Sequence, residues 1–122
     1  MAIFHLSVKI ISRGKGKSAV AASAYRSGEK ITSDYDGITH DYTRKRGIAE
    51  TLIMLPDNAP IEFYNRSTLW NAVEKIEKAK NSQLAREIEV AIPNELSISD
   101  HYNLVKEFCK MNFVDKGMIA DI

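Results

Sequence analysis

The stretch from Ser12 to Lys30 constrains the fold more than any other. Ser12-Arg13-Gly14-Lys15-Gly16-Lys17-Ser18 is a glycine-rich basic loop, and Ala19-Val20-Ala21-Ala22-Ser23-Ala24-Tyr25-Arg26 follows it directly. A helix built from alanine and serine leaves room for bulky neighbours to come close. Gly14 and Gly16 admit unusual backbone angles, and Ser18 is a natural N-cap. Between Lys9 and Lys30 there are six Lys/Arg and one acid, Glu29. A helix N-terminus opening from such a loop is suited to anions, through its free N–H groups and its dipole. Arg13, Lys15, Lys17 and Ser18 are therefore candidate phosphate contacts, with Arg26 further along the helix. Tyr25 stands about two turns in, where a phosphate held near this face would meet a phenol. A tyrosine on a helix is ordinarily packing with its hydroxyl at the rim. A free phenol also titrates near pH ~10, so covalent chemistry at Tyr25 requires a base, a cation or a metal.

The whole chain reads as one domain by size, 122 residues with a net charge of +1. The basic excess lies in residues 1–61, with nine basic and six acidic side chains against eight and ten in residues 62–122. Phe4, Leu6, Val8 and Ile10 alternate with His5, Ser7 and Lys9, which predicts a strand with those apolar residues buried. Asp36-Gly37 marks a hairpin-type turn, residues 31–47 read as a loose hairpin or an ordered loop, and Arg44-Lys45-Arg46 is a charge run within it. Ile48–Leu55 predicts a second strand. Ser67–Lys80 predicts a helix with Leu69, Val73 and Ile76 on one stripe and Glu74 paired outward with Lys78. Trp70 lies beside that stripe as an anchor. Arg86–Ile92 alternates Ile88, Val90 and Ile92 against Glu87 and Glu89, and Pro93-Asn94 stops it. Ser97 or Ser99 caps a last helix, with Asp100 three after Ser97 in a capping-box-like arrangement, and Leu104, Val105, Phe108 and Cys109 give its buried stripe. Residues 118–122 begin another strand. This order suggests an α+β fold, a largely antiparallel sheet with helices packed on one face. The open face would then carry His5, Ser7, Lys9, Glu87 and Glu89.

Several chemistries are disfavoured. A Walker A loop needs glycine five places before Gly16, and Ile11 stands there. His5, His40 and His101 show no metal-ligand spacing. The single cysteine, Cys109, excludes an internal disulfide and reads as core packing. No apolar run is long enough for a membrane span, and Met1–Leu6 lacks a signal-peptide pattern, so the expected location is the cytoplasm.

Two blocks carry a resemblance. MAIFHLSVKIISRGKGKSAVAASAYRSGEKI and LWNAVEKIEKAKNSQLAREIEVAIPNEL, in that order, are similar to blocks of the MobA/MobL family of plasmid relaxases. The similarity runs on through LVKEFCK and GMIADI. It implies an HUH relaxase-like (palm/ferredoxin-like) α+β fold and a nicking reaction at a plasmid transfer origin. The tyrosine that matches the family nucleophile is Tyr25, which would become joined to the 5′ end of the cut strand. The resemblance also implies a divalent cation, Mg²⁺ or Mn²⁺, held by three histidines and polarising the phosphate. The acid of the A-R-E block, which would orient one histidine, matches Glu87, with Glu89 on the same face. The histidine segment is expected beyond Ile122. Residues 1–122 accordingly read as the N-terminal part of one truncated relaxase domain, binding no metal and nicking little by itself. Expected partners are single-stranded origin DNA, contacted by the basic loop, Arg26, Arg44, Lys45 and Arg46, and relaxosome proteins. An exposed sheet edge would favour self-association. The alternative is a non-catalytic module that binds single-stranded DNA, for which the basic loop and open face suffice.

Overall fold

Ser18 and Gly28 set the limits of the first helix, α1 (Ala19–Ser27). Ser18 Oγ accepts from the Ala21 N–H at 3.2 Å, and Gly28 closes the helix at φ 71° with its N–H on Ala24 O. The positive φ calls for glycine there, and a Cβ would also stand 2.7 Å from the end of the Ile48 side chain, at Cδ1, which would have to shift. The computed structural model describes residues 6–92 and 95–122. The expectations placed on Phe4, His5 and Pro93-Asn94 fall outside those residues.

Around α1 the elements follow in the order β1 (Leu6–Ser12), α1, β2 (Lys30–Thr32), β3 (Thr39–Asp41), β4 (Ile53–Met54), α2 (Arg66–Ile76), β5 (Gln83–Val90), α3 (Ile98–Asn112) and β6 (Ala120–Asp121). The fold is α+β and every strand pair is antiparallel. Among the described residues the strands form three separate pairs, β1–β5, β2–β3 and β4–β6. The hairpin turn falls where Asp36-Gly37 predicts it: Gly37 sits at φ 73°, and its N–H donates to Ser33 O at 2.8 Å. β4 is shorter than residues 48–55 suggest. Its pairing with β6 is prolonged by mutual backbone bonds between Leu52 and Ile122 at 2.9 and 2.7 Å.

The longest pair departs most from expectation. In β1–β5, Leu6 faces Val90 and Val8 faces Ile88 across the ladder. Leu6, Val8 and Ile10 are 51%, 59% and 44% exposed, and the buried residue of β1 is Ile11. The register shifts between Ile11 and Ser12, leaving Leu84 as an extra residue beside Ala85. Such a bulge re-aims a side chain, and Leu84 joins Ile11 and Ala19 in the core with Ala22, Trp70, Val73 and Ala85 around them. Helix α1 therefore packs on the side of Ser7, Lys9, Glu87 and Glu89 only at its Ile11 end, and Lys9 and Glu89 stay exposed as expected. The apolar face of Leu6, Val8 and Ile10, expected to be buried, is open as well. A second apolar cluster joins Val20 and Ala24 of α1 to Ile31 of β2, with Tyr42 and Trp70 against it. The small side chains of α1 thus let packing reach it from two sides.

Polar bonds join the ends of α1 and α2 reciprocally. Glu74, 5% exposed, accepts from Ser18 Oγ and the Ala19 N–H at 3.0 Å each, and from Ser33 Oγ at 3.3 Å. A carboxylate from α2 thereby occupies the N-terminus of α1. In return the Arg13 guanidinium donates to Glu74 O at 2.7 Å, to Ala79 O at 3.2 Å and to Glu77 O. Carbonyls left over at the end of α2 find their donor there, and the helix stops at Ile76 instead of running to Lys80. Glu74 is not the outward partner of Lys78 that its spacing suggests. Glu74→Gln keeps the shape but turns an amide N–H₂ toward groups that donate. We expect a loss of about 1–3 kcal/mol, measured as a lower unfolding midpoint by circular dichroism. An unchanged midpoint would mean the cap contributes nothing.

The last helix packs more loosely than its pattern suggests. Ser97 Oγ accepts from the Asp100 N–H at 3.1 Å, so of the two serines the sequence offers as the cap it is Ser97. No residue of α3 is buried, and Leu104 and Phe108 are half-exposed. Cys109 is partly buried, and burial pushes its thiol pKa up, so it stays protonated at neutral pH.

Candidate active site

Tyr25 lies in the last turn of α1, on the flank next to the buried stripe of Ala19, Val20, Ser23 and Ala24. The residue is 45% exposed. Tyr42, which follows β3, meets it edge to face, with centroids 5.3 Å apart and planes at 88°. Lys45 Nζ lies 3.6 Å from the ring centroid, and the Arg26 guanidinium carbon lies 5.5 Å from it. The ring thus has an aromatic neighbour and two cations beside it, on a residue that is still exposed. Cations beside an aromatic face are attracted to it electrostatically.

Arg26 links this helix turn to β5. It is ion-paired with Glu87, and its other nitrogen lies 3.9 Å from Glu89 Oε2. The two glutamates share a side of β5 by strict alternation, the side on which Arg26 of α1 reaches the strand. Glu87 is accordingly brought near the Tyr25 turn, but its partner here is Arg26.

The other predicted site residues divide by their surroundings. Lys15, Lys17, Arg44 and Arg46 are exposed. They lie near opposite ends of α1, whose nine residues rise about 14 Å. Ser18 is taken up by Glu74 and by the α1 cap. Arg13 is committed to the α2 carbonyls and stacks over the Tyr35 ring at 4.4 Å. The helix N-terminus that the sequence offers to an anion is already filled by the protein's own carboxylate, and that is why Ser18 and Arg13 face inward. Lys45 is partly buried, unlike its neighbours in the charge run. Its loop is held by Thr43, whose N–H and Oγ1 donate to Asp41 Oδ1 at 3.0 and 2.6 Å. Those two bonds, with smaller contributions from Lys30 and Arg44, hold the Asp41 carboxyl below its ordinary pKa.

Sequence reasoning missed the buried polar centre on the far side of α1. Asp121 accepts from Ser23 Oγ and Trp70 Nε1 at 2.7 Å each and from Arg66 Nε at 2.8 Å. Arg66 also donates to Glu29 Oε2 at 2.8 Å. The only available signal was the pairing of a tryptophan N–H and an arginine on one helix, which need acceptors when buried.

Among the described residues no group of three His, Cys, Asp or Glu is placed to hold a metal ion. Among the described residues no helix is long and apolar enough to cross a membrane.

Comparison with known proteins first places the architecture. A solved structure titled "Molecular Basis of Vancomycin Resistance Transfer in Staphylococcus aureus" matches this α+β frame with a TM-score of 0.92 at 38% identity, covering 98% of this chain and 61% of that one. The MobA/MobL family model matches residues 17–122. The chain belongs to the MobA/MobL family. It is 39% identical over its whole length to "Mobilization protein MobL" of Acidithiobacillus ferridurans, spanning 32% of that protein. It is also 40% identical to "Conjugal transfer protein TraA" of Rhizobium radiobacter, with 99% of this chain and 12% of that protein covered. The chain thus spans a third or less of these relatives.

Proposed function

We propose that this chain supplies the nucleophile-bearing part of a plasmid-mobilisation relaxase, which cuts one DNA strand at a transfer origin. The observation that carries the reading is the setting of Tyr25: an exposed tyrosine held among cations, in a chain of the MobA/MobL family. In the proposed step Tyr25 Oη attacks the scissile phosphorus. An Oη–P bond forms, the P–O3′ bond breaks, and the 5′ end remains on the protein as a phosphotyrosyl diester. The phenol proton passes to solvent and the leaving 3′ oxygen takes one up, so the exchange balances. One diester replaces another, and reversal reseals the strand. Exposed Lys15, Lys17, Arg44 and Arg46 would hold the flanking phosphates and screen the charge of the attacked one. Arg26, held by Glu87, would keep the end of α1 against β5.

A divalent cation, when bound, would act as an electrophile on the phosphate. The described residues do not fit the three-histidine set that such an ion requires, so no step above uses it. Relaxosome partners, self-association through the β1–β5 pair and a cytoplasmic setting belong to the same proposal. The open apolar face of Leu6, Val8, Ile88 and Val90 supports an association surface.

The test is direct. Full-length protein is incubated with Mn²⁺ and single-stranded oligonucleotides tiling both strands of the replicon that encodes it, then digested with trypsin. The expected product is a nucleotide mass on the Ser18–Arg26 peptide, whose single tyrosine is Tyr25. No adduct with any oligonucleotide would sink the reading.

A further inference from the structure

We propose that Lys45 is a positioning residue for the Tyr25 phenol and not a phosphate contact. This rests on the reading of Tyr25 as nucleophile and assigns that site a residue with a distinct task. In the sequence Lys45 is the middle of a run of three cations and cannot be told from Arg44 and Arg46. The structure separates it from them: both arginines are exposed, and Lys45 is partly buried.

Its ammonium group makes two contacts with one residue. Nζ donates to the Tyr25 carbonyl oxygen at 2.8 Å and lies 3.6 Å from the centroid of the same residue's ring. The first contact places a cation at the C-terminal end of α1, where the helix dipole favours it. The second fixes the phenol from its face, and Tyr42 fixes it from the side at 5.3 Å. One ammonium thus ties the backbone of the nucleophile's turn to the rotation of its ring. The loop that delivers Lys45 is itself held. The Lys45 N–H donates to Tyr42 O at 3.0 Å, and the Tyr42 N–H donates to Glu29 O at 3.2 Å, just beyond Gly28. Attack on phosphorus demands that the oxygen be held in line, so losing this clamp slows the chemical step without loosening DNA. An ammonium spent on a carbonyl and a ring is also poorly placed to meet a phosphate.

Lys45→Met keeps the aliphatic stem and removes the charge. In full-length protein with Mn²⁺ and the adduct-forming oligonucleotide, the rate constant for adduct formation at saturating DNA is expected to fall about tenfold to a hundredfold. The dissociation constant and its salt dependence are expected to stay unchanged. Lys45→Arg, which can still donate and stack, restores most of the rate. Arg46→Gln serves as the contrast, weakening binding and reducing the salt slope by about one. A Lys45→Met protein that binds weakly with a reduced slope, or one whose adduct rate matches wild type, overturns the proposal. Wild-type protein that forms no adduct overturns the reading of Tyr25 instead, so the two failures are told apart.

Discussion

Tyr25→Phe is expected to abolish covalent capture of DNA while leaving the fold and reversible binding as they were. The substitution removes one oxygen. The ring that meets Tyr42 at 5.3 Å and lies under Lys45 at 3.6 Å is retained, and the Lys45 bond goes to the backbone carbonyl, which is unaffected. With the residue 45% exposed, the change in stability should stay within about 0.5 kcal/mol. Any loss therefore reports chemistry and not unfolding. Gel-shift titrations at several salt concentrations should give the same slope of log K against log salt for both proteins, because the phosphate contacts are untouched. Two other results would be informative. An adduct that survives and maps to the Ile31–Arg44 peptide, which carries Tyr35 and Tyr42, would move the nucleophile to the neighbouring ring. Salt-sensitive binding by both proteins without an adduct from either would favour the non-catalytic, single-strand-binding alternative.

What the sequence shows of this site is what is local. Tyr25 stands out in a helix of small residues, Ser18 and Gly28 bound that helix, and the alternation of β5 puts Glu87 and Glu89 together. Each follows from spacing along a few residues. What stays hidden depends on residues far apart in the chain. The basic loop and helix N-terminus look open to an anion until Glu74 arrives from 55 residues away to bond the Ala19 N–H. Nothing in the amphipathic pattern of α2 marks that glutamate, because a carboxylate on a helix is counted as solvent-facing until a donor is known to face it. Arg13 is hidden in the same way, since its partners are carbonyls and carbonyls have no side-chain signature. The strand β1 illustrates a further limit. Alternation correctly separates Leu6, Val8 and Ile10 from Ser7 and Lys9, but it cannot say which side the helices cover. The bulge at Ile11/Ser12 and the bulk of Leu84 bring α1 onto the more polar side.

The second large effect lies in that long-range polar centre: Asp121→Ala is expected to destabilise the protein by about 3–5 kcal/mol. The Asp121 and Arg66 side chains are 11% and 10% exposed, so water cannot readily replace a lost partner. Alanine would leave Trp70 Nε1–H and the Ser23 hydroxyl without their acceptor and reduce Arg66 to its bonds with Glu29 and the Ile122 carbonyl. For Arg66, burial lowers the pKa, while the hydrogen bond and charge of Asp121, then those of Glu29, raise it further, and the net direction is upward. The sign follows: this contribution is complete below the unfolded arginine pKa and fades only as pH rises through the higher folded one. Mild alkali should therefore not mimic the mutation. In a domain whose total stability is about 5–15 kcal/mol, the loss corresponds to a drop in Tm of about 10–20 °C. Asp121→Asn, which keeps an acceptor oxygen but not the charge, should lose about 1–3 kcal/mol. Adding Arg66→Met to Asp121→Ala should cost less than the sum of the two single changes, because the stranded cation is removed with its partner. Trp70 is the single tryptophan, so its emission reports the same site during unfolding. A Tm for Asp121→Ala within about 2 °C of wild type, well under the shift expected per kcal/mol lost, would show that β6 is not what fastens α1 to α2. An additive double mutant would show that Asp121 and Arg66 act independently. A large, non-additive loss would instead identify Asp121 as the point where the end of this chain is tied to the helix that carries Tyr25.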